Sequence, residues 1–360
     1  MKNIIKWSIC GLAVTAVAAL GLPASDAKAA DLKGETITWT IPFKEGGGSG
    51  RWARFIVPLL EKQLGATITL KFVPGGGSTK GANLYASRAK ANGLELFGTS
   101  GSTQFPYLLG DKRVKYDYTK WRPLLAYATG GVVYISPSLG VKTAAELVKK
   151  NPPLKYGSQG ATSLDLVPLL AFEMLGMNVD AVFGMKGRSP ARKAFMTGEV
   201  KIDYQTSAAY LSKVVPLVKE GTAIPIMTWG SLDDDGKLVR DPNFPDLPHF
   251  AEVYEQVKGK KPSGPAFDAW KAFFVAGFPA QKFVVVPKET PADIVKVYQD
   301  AITKMLVDPE YVAEKDKKIG TYPQVTGKAA ETKFNAAINV PPAAKEWVRD
   351  WLTKKYNVVF

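Results

Sequence analysis

Thr36-Ile37-Thr38-Trp39-Thr40-Ile41-Pro42-Phe43 is followed, after two charged residues, by Gly46-Gly47-Gly48-Ser49-Gly50, and then by Trp52, Phe55, Ile56, Leu59 and Leu60. The first segment reads as a buried strand. The last five residues fall at i, i+3, i+4, i+7 and i+8, the stripe of an amphipathic helix. Pro58 inside that stripe conflicts with an uninterrupted helix and predicts a kink or an early end. Working outward, Thr67 to Val73 is a second strand. Gly75-Gly76-Gly77-Ser78 leads into a helix from about Thr79 to Lys90, and Leu94 to Gly98 is a third strand. This βαβαβ order implies a parallel sheet covered by helices.

A second series begins after Val132 to Ser136. Strands are expected near Leu154 to Gly157, Val179 to Gly184, Val200 to Tyr204 and Ala223 to Trp229, with helices at Ser163 to Leu175 and Pro190 to Met196. Ser231 to Gly264 is rich in Asp, Pro and Gly and reads as turns around one helix, about Pro248 to Val257. Strand-like segments return at Phe273 to Ala276 and Phe283 to Val286. Thr290-Pro291-Ala292-Asp293 then starts a helix to about Leu306, and another is expected near Pro341 to Lys355.

The chain has 360 residues, 46% hydrophobic and 22% charged, with a formal charge of +14. That length predicts two globular units. One Cys, Cys10, and one His, His249, exclude most metal sites and most Ser-His or Cys-His catalytic groupings. Lys2 and Lys6 precede an apolar run from Ile9 to Leu22, broken by Pro23 and followed by Ala27-Lys28-Ala29. This is the pattern of a secretory signal over residues 1–29, cleaved after Ala29, with Cys10 leaving alongside it. The mature chain then depends on no disulfide. Residues 31–135 carry 14 basic and 7 acidic side chains, residues 271–360 carry 14 and 10, and residues 136–270 carry 16 and 15. A lobe built from the two ends would carry +11 and the middle lobe +1, an asymmetry that could draw in anions or serve solubility. No basic run is interleaved with aromatics, so nucleic acid is not an expected partner.

Three loops share one design of strand, small-residue turn and helix start: Phe43 to Gly50, Gly157 to Ser163 and Gly184 to Pro190. In an open α/β sheet such loops lie at the carboxyl ends of strands, where ligands bind. Their helix starts offer free backbone N–H groups and a positive dipole end, suited to a carboxylate, phosphate or sulfonate. Gly48-Ser49-Gly50-Arg51-Trp52-Ala53 fits a dinucleotide fingerprint. However, the second strand ends Lys71-Phe72-Val73 without the acid a ribose needs. Gly75 to Gly81 places Lys80 before the glycine rather than after it, which excludes a phosphate loop. Asp233-Asp234-Asp235-Gly236 lacks alternating calcium-ligand spacing and reads as a solvated turn. No metal or other cofactor is expected.

An ordered set of segments resembles the substrate-binding receptors of the tripartite tricarboxylate transporter family, the Bug proteins. These are Ile37 to Phe43 with the glycine run and Ala53-Arg54, then Val73-Pro74-Gly75-Gly76-Gly77 with Gly81-Ala82 and Ala91-Asn92-Gly93. Gly98 to Ser102, Leu154 to Ser163, Val182 to Ala191, Gly198-Glu199-Val200, Pro245 to Pro248 and Pro287 to Asp293 complete the order. The resemblance covers nearly the whole mature chain. It implies a type II-like periplasmic binding protein of two α/β lobes, each a mostly parallel sheet flanked by helices. Residues 30–134 plus 272–360 would form lobe 1 and 135–271 lobe 2, with a small organic anion, most often a carboxylate, in the cleft. It further implies a periplasmic, non-enzymatic monomer that delivers its ligand to a two-subunit membrane permease.

Carried over by position, the implied ligand-binding residues are Phe43, Lys44, Ser49, Gly50, Ser100, Thr103, Ser158, Gln159, Gly160, Thr162, Lys186 and Gly187. Gln205, at the end of the strand Val200 to Tyr204, is a further candidate. Lys44 and Lys186 read equally as solvated loop lysines, and Phe43 and Met185 as apolar walls. Gly50 stands where most relatives have Asp, and Arg51, Trp52 and Glu45 also depart from the pattern. Losing that carboxylate favours a more anionic ligand, whereas Glu45 could restore the charge nearby. Two other readings compete: an exported enzyme using carboxylates such as Asp165 or Glu173, and a two-lobed receptor serving another transporter or a sensor. No spacing picks out a catalytic pair of acids.

Overall fold

The computed structural model describes Met1, residues 31–233 and residues 235–360. The segment read as an export signal, with Cys10, and Asp234 of the acidic turn lie outside the described residues. In chain order the strands are β1 (Thr36–Ile41), β2 (Thr67–Phe72), β3 (Glu95–Ser100), β4 (Trp121–Tyr127), β5 (Gly131–Ile135), β6 (Leu154–Gly157) and β7 (Val179–Val182). They continue as β8 (Ile202–Thr206), β9 (Ile224–Thr228), β10 (Ser231–Leu232), β11 (Leu238–Val239), β12 (Lys282–Pro287) and β13 (Gln324–Thr326).

Two sheets organise the molecule. The first is six-stranded, in the order β13-β4-β12-β3-β1-β2, and the second five-stranded, in the order β7-β6-β8-β5-β9. β1 pairs in parallel with β2 and β3, whereas β12 runs antiparallel to both β3 and β4. In the second sheet β6 is parallel to β7 and β8, and β5 is antiparallel to β8 and β9. The fold class is the expected α/β one, two sheets flanked by helices, one built from both ends of the chain and one from its middle. The sheets, however, are mixed rather than mostly parallel, with two of five strand pairings parallel in the first and two of four in the second. Strands β10 and β11 form a separate hairpin.

Apolar periodicity explains the helix Gly48–Leu64, whose Trp52, Ile56, Leu59 and Leu60 are buried. Pro58 does not interrupt it. The proline is exposed, so water can satisfy the carbonyl that its missing N–H leaves unbonded. Phe273 to Ala276 is not a strand but the last part of the helix Pro265–Gly277. Pro265 and Asp268 suit the first turn of a helix, and Ala269, Trp270, Phe273, Phe274 and Gly277 are buried at 3.6-residue spacing. This helix packs on Leu166–Leu175, on Pro342–Tyr356 and on Gly101–Leu109. One apolar cluster accordingly joins Phe105 and Leu109 to Leu164, Phe172, Phe273 and Val348. The other large cluster fills the first sheet against the helices Gly48–Leu64 and Ala292–Leu306.

The chain crosses between sheets at Ala128-Thr129-Gly130. A Cβ on Gly130 would lie 1.9 Å from Asp241 Oδ2 and 2.2 Å from the Tyr322 hydroxyl, so only glycine fits. Here the Gly130 N–H donates to Ser207 Oγ at 3.1 Å, Ser207 Oγ to Tyr322 OH at 2.9 Å, and Tyr322 OH to Asp241 Oδ2 at 2.5 Å. Burial raises the Asp241 carboxyl above its ordinary pKa, against the hydrogen bonds that stabilise its anion.

Candidate functional site: an anion-suited cavity between the sheets

Four helix starts converge where the carboxyl ends of strands from both sheets meet. Gly47, Gly48 and Ser49 open the helix Gly48–Leu64, and Ser100 and Ser102 open Gly101–Leu109. Arg188 opens Arg188–Met196, and Thr206 precedes Ser207–Lys213. Only Ser100 caps its own helix, accepting from the Ser102 N–H at 3.2 Å. With Phe43, Gln159, Leu164, Gln281 and Lys282 these residues line a cavity of about 30 Å³, room for one or two waters. The N–H groups of Gly101, Ser102 and Ser207 are already bonded, to the Gln281 carbonyl, Ser100 Oγ and the Gly130 carbonyl. Gly48 and Ser49 leave theirs open to the cavity, and the positive ends of the helix dipoles add to them.

The walls are drawn together across the cleft. The Lys44 N–H donates to the Lys186 carbonyl at 3.2 Å, Gln159 Nε2 to Ser102 Oγ at 3.4 Å, and the Leu164 N–H to Ser102 Oγ at 3.2 Å. Farther out, Thr162 Oγ1 donates to Asp111 Oδ2 at 2.7 Å and accepts from the Arg113 guanidinium at 3.0 Å. Burial alone would raise the Asp111 carboxyl. The bonds from Arg113 and Thr162 outweigh it and hold that carboxyl below its ordinary value.

Two cations line the cavity, and they differ. Arg188 is buried in the second sheet, donating to the Gly157 carbonyl at 2.7 Å, to Asp165 at 3.2 Å and to Asp203. Its guanidinium also stacks over Tyr204 at 4.5 Å and Tyr156 at 5.1 Å. This charge is consumed in holding β6 and β8 together. Lys282 is 1% exposed and opens β12. Its ammonium donates to the Gln281 side-chain oxygen and lies 5.3 Å from the Tyr127 ring centre. Among the described residues no carboxylate pairs with it, and burial pulls its pKa down to about 7.

Of the residues singled out by sequence, Phe43, Ser49, Ser100 and Gln159 line the cavity. Gly50 is buried behind it. The exposed Lys44 and Lys186 meet through their backbones, and Gly187 is buried beside Lys44. Gly160 and Thr162 line an outer groove with Gly77, Asp111 and Arg113. The remaining three side chains are occupied internally. Thr103 accepts from Ser78 Oγ at 3.0 Å, and Ser158 donates to Asp165 at 3.0 Å. Gln205 donates to the Arg188 carbonyl and to Asp203, both at 2.9 Å. Gly47, Gly48, Ser102, Leu164, Arg188, Thr206, Gln281 and Lys282 join the cavity without having been picked out. For Lys282 one signal was available: a single charge at the head of the apolar strand Lys282-Phe283-Val284-Val285-Val286.

No family model matches the chain, and no curated protein matches it in sequence. Solved structures do match in fold. The periplasmic binding protein BugD is 21% identical with a TM-score of 0.68, covering 90% of this chain and 98% of its own. Rpa4515 of R. palustris, solved with adipate, is 22% identical with a TM-score of 0.65, covering 88% and 96%. MatC of Rhodopseudomonas palustris, solved with bound malate, is 20% identical with a TM-score of 0.63, covering 91% and 99%. The resemblance to Bug receptors read from sequence thus extends to nearly the whole architecture, and the chain has the fold of the periplasmic binding proteins.

Proposed function

We propose that the protein is a periplasmic receptor of the Bug type that captures a small carboxylate in the cavity between its sheets. The observation that carries this reading is the convergence of four helix starts and one unpaired ammonium on a single cleft. Such a site stabilises negative charge with fixed dipoles, and among the described residues that line it there is no pair of acids for acid–base work. The relatives in fold solved with malate and adipate support the ligand class.

In this reading residues 30–134 with 272–360 form one lobe and 135–271 the other, with the helix Pro265–Gly277 running across the later boundary. The lobes close as a hinge about the crossing at Gly130, and the loaded monomer delivers its ligand to a two-subunit permease. Export removes residues 1–29. Ser49, Ser100, Gln159 and the backbone at Gly47 and Gly48 contact the ligand. Phe43 forms a wall, while Lys44, Lys186 and Gly187 join the lobes on closure.

A thermal-shift panel tests this. It compares malate, adipate, citrate, an aromatic carboxylate, glutamate, sulfate and phosphate at matched ionic strength. A carboxylate at a hundred times its Kd adds about 2.7 kcal/mol of stability, a shift of a few degrees. Flat curves across all carboxylates, after unfolding and refolding to strip carried-over ligand, would contradict the reading. Turnover of any of these compounds would instead favour the enzyme.

A further inference from the structure

Lys282 occupies a position that a lysine takes only at a cost. β12 lies between β3 and β4, so Lys282 stands opposite Ser100 on one side and Tyr127 on the other. An ammonium has three donors to satisfy, yet its one hydrogen bond goes to the neutral side chain of Gln281, supplemented by the Tyr127 ring. A buried charge without a counter-charge is costly and ordinarily acquires a partner. The groups bordering the cavity do not provide one. β3 and the start of Gly48–Leu64 present only serines and glycines. β4 presents Tyr127, whose phenol burial pushes far above neutrality and which donates to the Ile319 carbonyl. Across the cleft, Asp165 and Asp203 are taken by Arg188.

We infer that Lys282 is the counter-ion of the bound anion, so that the site selects ligands with a carboxylate at that end and rejects those carrying an amine there. The inference rests on the receptor reading and deepens it. An amine placed at the β12 wall would face an unpaired like charge where Lys282 is protonated, and at higher pH would supply none of the negative charge that restores the ammonium. The pKa shift supports the geometry. Burial lowers the folded-state pKa from 10.5 to about 7, so between those values the unfolded chain holds a proton that the folded one lacks. Stability of the free protein therefore rises with pH across that window. A carboxylate beside Lys282 restores the ammonium and must draw a proton from solution.

Calorimetric titration of the purified protein with malate, adipate and citrate, in two buffers of different ionisation enthalpy, tests this. For whichever of the three binds best, we expect Lys282→Met to weaken binding by at least about 30-fold while melting no lower than wild type without ligand. Wild-type binding at pH 8 should take up about one proton. Wild-type affinity in K282M, or binding at pH 8 without proton uptake, would overturn the inference while leaving the receptor reading intact. Should K282M not fold, Lys282→Gln takes its place, with the same loss of affinity expected. If none of the three binds wild type, the titration uses whichever other carboxylate of the thermal-shift panel does; if none of that panel binds, the receptor reading fails and this inference with it.

Discussion

A Cβ on Gly50 would stand 2.2 Å from the Glu45 carbonyl oxygen and 3.2 Å from the Phe72 ring, a conflict with backbone rather than with a movable side-chain end. The loop Lys44–Gly47 is thus folded tightly over the first turn of the helix, leaving no room for a side chain at position 50. Glu45 turns outward, paired with the half-exposed Arg54. An aspartate in the first helical turn would gain about 0.3–1 kcal/mol from the dipole. Overpacking costs about 1–3 kcal/mol, so overlap wins. We expect Gly50→Asp to lower the unfolding free energy by about 1–2 kcal/mol in urea denaturation; an unchanged midpoint would show that the loop yields freely. At this scale the sequence is a poor guide to which polar side chain meets ligand. Ser158 and Gln205 sit at the ends of the right strands and Thr103 in the helix just after one, but each side chain is taken up elsewhere, by Asp165, by Arg188 and Asp203, and by Ser78 respectively. Lys282 escaped notice for the opposite reason, since a lysine heading a strand reads as solvated until β12 is known to be central.

Among the elements, those carrying their own periodicity were legible: β1, the helix after it, β2, β3 and most of the second series. β4 was not, because Pro123 within it argues against a central strand. The structure accommodates that proline where the β4–β12 register shifts, opposite Val285. β13 has only three residues and takes its form from pairing with β4. Phe273-Phe274-Val275-Ala276 misleads through local β-propensity, which burial on both sides overrides once the turns before it form a helix. That helix matters beyond its own packing. Phe273 meets Phe105 of the helix after β3 edge to face at 5.0 Å, while its own helix also packs on Leu166–Leu175, between β6 and β7 of the second sheet. Phe273→Ala should destabilise by about 3–5 kcal/mol. It should also broaden or split the thermal transition, as seen by calorimetry, because it loosens the joint between the sheets. A single sharp transition at the wild-type temperature would contradict this role.

For the whole molecule, the excess positive charge falls in the two chain ends that build the six-stranded sheet, +11 against +1 for the middle. The first sheet also contributes Lys282 and two of the helix starts. The second sheet contributes the remaining helix starts and a guanidinium already neutralised, so it shapes the cavity more than it charges it. With the loops hydrogen-bonded across the cleft, about 30 Å³ is left between them. Admitting a four- to six-carbon acid therefore requires the lobes to part and re-close around it. Breaking the Thr162–Asp111 and Lys44–Lys186 contacts is a modest cost of about 1 kcal/mol each. The most direct measurement is a crystal structure of the protein with whichever carboxylate gives the largest thermal shift. The account predicts that acid between Ser49, Ser100, Ser102 and Gln159, with one carboxylate within ion-pair distance of Lys282 Nζ and the lobes farther apart than here. A ligand seated instead in the outer groove of Gly77, Asp111 and Arg113, with the inner cavity unchanged, would contradict it.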